Sequence, residues 1–169
     1  MKKTFFVTIM LCCSLFLLAS CSNEPAGLKL LKPVPDFSLV DRQGKTWTLS
    51  QLKGQVVFIN FWATWCNPCR EEMPAMQRLH EKMPKDSFKM LAILNSDDPA
   101  LADRFAEKLG ITIPILDDQT NVIGPQYGIT GVPETFIVNK KGILVRKFIG
   151  PADWDSTAIE QMLTGFIEQ

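Results

Sequence analysis

Phe61-Trp62-Ala63-Thr64-Trp65-Cys66-Asn67-Pro68-Cys69-Arg70 is the stretch that decides the fold. The run Val56-Val57-Phe58-Ile59-Asn60-Phe61 leads into it. This run is continuous and β-rich, as in a strand buried on both faces of a sheet. Leading out, Met73, Met76, Leu79 and Met83 recur at helical spacing. Two cysteines therefore stand where a buried strand hands over to a helix. Pro74 lies inside that helix and is expected to kink it, since proline removes one backbone donor.

Working outward from this centre, the rest of the chain supplies one α/β domain. Phe37–Thr48 alternates apolar and polar residues around the turn Asp41-Arg42-Gln43-Gly44 and reads as a hairpin. Ser50–Gly54 is a connector. Phe88–Leu94 is a second buried strand. Asp97-Asp98-Pro99 opens a helix that Gly110 ends. Ile111–Leu116 reads as a third strand, and Asn121–Tyr127 as a short helix that Gly124-Pro125 would interrupt. Thr135–Val138 and Ile143–Ile149 form a closing hairpin, and Asp153–Ile167 a final helix. Strands alternating with helices imply right-handed crossovers and parallel neighbours, and the closing hairpin adds antiparallel ones.

The 169 residues suffice for one domain with its own core. Charge is balanced at 18 basic and 18 acidic residues, so no nucleic-acid footprint is visible. Residues 1–20 stand apart. Met1-Lys2-Lys3 is positive, Thr4–Leu18 is apolar, and Leu18-Ala19-Ser20-Cys21 has the form of a lipobox. The reading is a lipoprotein signal over 1–20, a lipid-anchored tether over 21–32 beginning at Cys21, and a domain over 33–169. An uncleaved anchor is the alternative, but the apolar run is short of the roughly 20 residues a span needs. Losing Lys2 and Lys3 leaves a net charge of −2. That value argues against electrostatic attraction to an anionic membrane as the anchor. Cys12 and Cys13 leave with the signal, so Cys66 and Cys69 remain as one pair.

The physics of the junction gives that pair a chemistry. A thiolate, not a thiol, attacks disulfides, and unsatisfied N–H groups at a helix N-terminus favour the thiolate. Cys66, at the start of the helix, is expected to be the exposed, attacking sulfur. Cys69, one turn deeper, can resolve the mixed disulfide. Pro68 falls in the first turn, where its missing N–H costs little. Two other readings stay open. A zinc site would need two or more further ligands, and the mature chain offers Cys21 as its only other thiol and His80 as its only histidine. A structural staple across so small a loop would constrain the unfolded chain little. No metal and no cofactor beyond a redox-active Cys66–Cys69 disulfide is expected.

Together with Tyr127-Gly128-Ile129-Thr130-Gly131-Val132-Pro133-Glu134-Thr135-Phe136, the cysteine stretch resembles the thioredoxin superfamily. Within it, the chain is similar to the exported, membrane-tethered thiol–disulfide oxidoreductases of the TlpA/ResA/CcmG type, from about Pro33 to Gln169. The resemblance implies a thioredoxin-like fold: a central mixed β-sheet flanked by helices, with an N-terminal β-hairpin and an αβ insertion. It implies that Pro133 is cis and faces the cysteines. It further implies that Val132 pairs with an extended substrate, with Trp65, Asn67, Pro68 and Glu134 also in contact. Cytoplasmic thioredoxins place a buried aspartate where this chain has Asn60, an amide that cannot do acid–base work. In the ResA-like group a glutamate at the position of Glu72 tunes the cysteines. Glu72 is therefore expected to handle the Cys69 proton, whereas Glu71 is a solvated carboxylate. Trp62, Met73, Met76 and Met83 are assigned to the core and His80 to the surface.

The implied activity is reduction of disulfides in exported proteins, for example apocytochrome c during cytochrome c maturation. A membrane thiol carrier would supply electrons to a monomer held at the extracytoplasmic side of its membrane. Two rivals share the fold. Phe37–Phe61 also resembles the start of a peroxiredoxin, but Phe61 stands where that pattern places proline. The other is a non-enzymatic haem or peptide chaperone.

Overall fold

A computed structural model of the chain describes residues 27–169. The signal, the lipobox with Cys21, and the first half of the tether, residues 21–26, lie outside the described residues. Seven strands form one mixed sheet in the order β2-β1-β5-β4-β3-β6-β7. They are β1 Ser38–Asp41, β2 Thr46–Thr48, β3 Val56–Trp62, β4 Phe88–Leu94, β5 Ile115–Asp117, β6 Glu134–Val138 and β7 Leu144–Ile149. Four helices complete the domain: α1 Asn67–Lys82, α2 Pro99–Leu109, α3 Ile123–Tyr127 and α4 Thr157–Ile167. β3, β4 and β5 are parallel, while β6 runs antiparallel to β3 and β7 to β6.

β3 is central and every one of its residues is buried. Its alternation sorts the core into two layers. Val56, Phe58 and Trp62 face Met73, Met76 and Leu79 of α1, and this layer also holds Trp154 and Leu163. Val57, Ile59 and Phe61 face Phe37, Trp47, Tyr127 and Phe136. By the same period-two rule Asn60 points to the α1 side, among apolar neighbours.

Several elements differ from expectation. The third strand begins at Ile115 rather than Ile111; Ile111 and Ile113 are buried in the connector instead. An apolar run shows burial, and pairing decides the strand. Residues of the expected connector close a short 3-10 turn, Leu49–Leu52. Gly124-Pro125 does not break α3, because that helix is one turn in which a missing N–H is an orphan in any case. A Cβ on Gly124 would lie 2.8 Å from Asn95 Oδ1, so close approach, not flexibility, explains this glycine. α1 continues through Pro74 as far as Lys82. His80, read as a surface residue, is half-buried, and burial followed by the charge of Lys85 lowers its pKa to about 4.

Candidate active site

α1 begins at the C-terminal end of β3, where the chain turns over Ala63–Trp65. Cys66 is the N-cap rather than the first helical residue, with extended backbone (φ −85°, ψ 106°). Its Sγ accepts the backbone N–H of Cys69 at 3.2 Å, so the sulfur itself serves as the cap. Cys66 and Cys69 form a disulfide. Cys69 is fully buried and Cys66 is 5% exposed, so the outer sulfur reaches solvent through a narrow opening rather than standing free. Asn67 and Pro68 are exposed, and Trp65 is 60% exposed, beside that opening. Carbonyl oxygen of Val132 lies 3.5 Å from Cys66 Sγ, and the Val132–Pro133 bond is cis. The structure thus brings Trp65, Cys66, Asn67, Pro68, Cys69 and Val132-Pro133 to one end of the sheet.

Asp97, read from the sequence only as part of a helix start, and Ser96, which the sequence did not single out, hold the turn. Asp97 Oδ2 accepts the Thr64 N–H at 2.5 Å, and the Trp65 indole donates to Ser96 O at 3.3 Å. Asp97-Asp98-Pro99 signals a helix start, and Asp98 does cap α2 through the Ala100 N–H. Its neighbour Asp97 faces the other way, which no local pattern reveals.

Glu72 lies one turn beyond Cys69 and is buried. Its Oε2 accepts from Trp154 Nε1 at 2.7 Å and Ala152 N at 3.3 Å, and its Oε1 from Asn60 Nδ2 at 3.2 Å. Asn60 also donates to Thr135 Oγ1 at 2.9 Å across the β3–β6 pair. Burial raises the Glu72 pKa, and these three neutral donors only partly offset it. Trp154 is fixed edge-on between Phe58 and Phe148, with ring centroids at 4.8 and 5.1 Å. The residue opposite Glu72 is thus the amide that stands where cytoplasmic thioredoxins carry a carboxylate.

Glu134, expected at the substrate lip, is buried under the loop that carries Val132-Pro133. It is 1% exposed; Oε1 accepts from Thr130 N and Oγ1 at 2.7 and 2.8 Å, and Oε2 pairs with Lys147 at 2.7 Å. Burial raises its pKa, but the bonds from Lys147 and Thr130 outweigh burial and hold the carboxyl below its usual range. Glu134 clamps the loop that carries Val132-Pro133. Among the described residues, no group of three or more His, Cys, Asp and Glu side chains could hold a metal.

A buried dithiol pair at a helix N-terminus, under a cis-proline loop on a mixed sheet, defines a thioredoxin-like thiol–disulfide oxidoreductase. Residues 30–147 match the AhpC/TSA family. The chain is 38% identical over 128 residues to the thiol-disulfide oxidoreductase ResA of Geobacillus thermodenitrificans, covering 75% of this chain and 72% of that one. A thiol:disulfide interchange protein of the thioredoxin family from Chlorobium tepidum superposes with a TM-score of 0.70 at 27% identity, covering 83% and 99% of the two chains. The exposed lipoprotein thioredoxin Etrx1 of Streptococcus pneumoniae superposes with a TM-score of 0.68 at 28% identity, covering 78% and 99%. The chain belongs to the AhpC/TSA family and, within it, to the ResA-like thiol-disulfide oxidoreductases. Its redox centre is the Cys66–Cys69 pair.

Proposed function

We propose that this protein is a membrane-tethered reductase of disulfides in exported proteins, with apocytochrome c as a candidate substrate. The observation that carries the mechanism is the Cys69 N–H donated to Cys66 Sγ above a fully buried Cys69. A donor already aimed at the sulfur favours the Cys66 thiolate. That thiolate attacks one substrate sulfur and expels the other. Cys69, after giving up its proton, attacks Cys66 Sγ and releases the second substrate thiol. Two electrons leave the dithiol, Cys66 and Cys69 close their disulfide, and a membrane thiol carrier, itself oxidised to a disulfide, restores the dithiol.

Glu72 accepts the Cys69 proton in this scheme. Its raised pKa suits a carboxyl that must take and return a proton. Trp65, Asn67, Pro68 and the Val132-Pro133 backbone form the substrate lip. Lipidation at Cys21 tethers residues 21–32, with residues 1–20 removed as the signal. One structural neighbour is itself an exposed lipoprotein, which supports this reading. Among the described residues no helix is long and apolar enough to cross a membrane.

Stopped-flow reduction of a peptide disulfide tests the assignment. Cys66→Ser abolishes reduction, whereas Cys69→Ser accumulates a covalent mixed disulfide visible by mass. In Glu72→Gln the thiol pKa values move and exchange slows. Unchanged thiol titration and unchanged rates would remove Glu72 from the mechanism. Peroxide consumption rivalling disulfide reduction would favour the peroxidase reading, and full function in Cys66→Ser would favour the chaperone.

A further inference from the structure

We infer that the end of the domain opposite the cysteines is a docking face for an anionic lipid surface. The face is assembled from four separate segments. Leu31 N donates to Leu144 O at 2.8 Å, Leu144 N to Lys32 O at 3.0 Å, and Val34 N to Gly142 O at 3.2 Å. Gly54 N donates to Lys140 O at 2.9 Å, and Val56 N to Ser87 O at 2.8 Å. These bonds gather Lys29, Lys32, Lys53, Lys85 and Lys141, all exposed, onto one rim at the N-terminal ends of β3 and β4. Asp36 and Asp86 are interleaved with them. Within the same rim Leu30 and Leu31 are 52% and 74% exposed. Two bare leucines flanked by lysines suit the boundary between headgroups and acyl chains, where an apolar side chain gains burial and an ammonium group stays wet.

Polarity along the sheet gives this face its direction. β3 has seven residues, so at about 3.3 Å per residue the rim lies about 20 Å from the cysteine end. The C-terminal ends of β4 and β5 carry Asp97, Asp98, Asp117 and Asp118 near the active turn. An anionic surface attracts the first end and repels the second. The net charge of −2 outside residues 1–20 hides this separation, because it sums over both ends. The inference rests on the Cys21 anchor for its tether. The eight residues from Cys21 to Lys29 reach at most about 29 Å, which keeps the rim within reach of the surface. Docked this way, Cys66 faces exported substrates, and release of the rim from the lipid turns it back toward the membrane thiol carrier.

The test uses the full chain reconstituted in vesicles of equal parts phosphatidylcholine and phosphatidylglycerol, against phosphatidylcholine alone. Brief acylation of amines followed by peptide mass mapping reads the exposure of each lysine. Each lysine at an anionic surface strengthens partitioning roughly fivefold. Acylation of Lys29, Lys32, Lys53 and Lys141 is therefore expected to fall severalfold on the anionic vesicles and to recover in about 1 M salt, where screening extends only about 3 Å. Alkylation of reduced Cys66 stays the same on both vesicles. Lys32→Glu/Lys53→Glu/Lys141→Glu loses the protection of Lys29 while reducing a peptide disulfide normally in detergent. Equal acylation on both vesicles, or protection that survives salt, overturns the docking face. Mass analysis of the Cys21 peptide judges the anchor separately: an unlipidated Cys21 with salt-sensitive protection overturns the anchor and leaves the face standing.

Discussion

Glu72 and Glu134 are both buried carboxylates beside the active turn, on opposite faces of the sheet. Glu72 meets Asn60, from the β3 side that packs on α1. Glu134 pairs in register with Phe61, on the other side. Their pKa values move in opposite directions. The difference lies in what each meets. Glu134 has the Lys147 ammonium group and two donors from Thr130. Glu72 has three donors and no cation. A buried carboxylate with a cation is a charged clamp; one with only neutral donors holds its proton above the ordinary carboxylate range and is suited to proton exchange.

The largest effect expected from breaking this contrast is at Lys147. Lys147→Met leaves Glu134 buried without its cation and should cost about 3 kcal/mol. That figure is at the low end for such pairs because the Lys147 side chain is 20% exposed. Urea unfolding at neutral pH measures it, and adding Glu134→Gln should restore most of the loss. A cost below about 1 kcal/mol would mean the pair is solvated and the clamp is not electrostatic.

Trp154→Phe comes next. It deletes the indole N–H on Glu72 Oε2 while keeping an aromatic ring between Phe58 and Phe148. The expected cost is about 1–3 kcal/mol. The Glu72 carboxyl should also titrate higher, which carbon-13 NMR of the side chain reads directly. A purely packing role for Trp154 would leave that titration where it is.

Smaller, but more diagnostic, is the pH dependence of the two amide variants. Glu134 ionises below its ordinary value of 4.5 when folded, so its stabilisation is present above 4.5 and is lost as pH falls through the lowered value. Glu72 ionises above 4.5 when folded, so its charge opposes folding once pH exceeds 4.5, fully so above the raised value. Relative to the parent, Glu72→Gln should gain stability as pH rises above 4.5, whereas Glu134→Gln should lose stability as pH rises toward 4.5 and stay level above it. Urea midpoints at three pH values decide the matter, and slopes of the same sign would remove the distinction between clamp and proton carrier.

The weakest perturbation is Asp97→Asn, which replaces a charged acceptor on the Thr64 N–H by a neutral one. The expected loss is about 1 kcal/mol, together with a faster-exchanging Thr64 amide. An amide that stays equally protected would show that the active turn is held without Asp97.

Much of this was legible in advance. The β3 run, the cysteine spacing, the Asp98-Pro99 start and the Gly110 stop each carry a local signal, because burial, caps and positive-φ residues leave their mark within a few positions. The boundaries that failed, at β5 and α3, depend on pairing and packing rather than on composition. At the site, the assignment of Cys66 and Cys69 to a strand–helix junction needed only their spacing and surroundings. The burial of Glu134 was not legible because its partners, Thr130 and Lys147, lie in a loop and on the next strand, and nothing in the residue type tells a buried ion pair from an exposed carboxylate.

The sequence by itself determined the class of protein: an α/β domain with one dithiol pair at a helix start, behind a segment with the form of an export signal. Those features are local, written in neighbouring residues. Folding alone brings Trp154, 82 positions away, onto Glu72, sets Asn60 of β3 against it, and places lysines from four segments at one end of the domain. Electrostatics acts through space and depends on burial. The protonation of a carboxylate and the polarity of a surface are therefore set by folding, not by order along the chain.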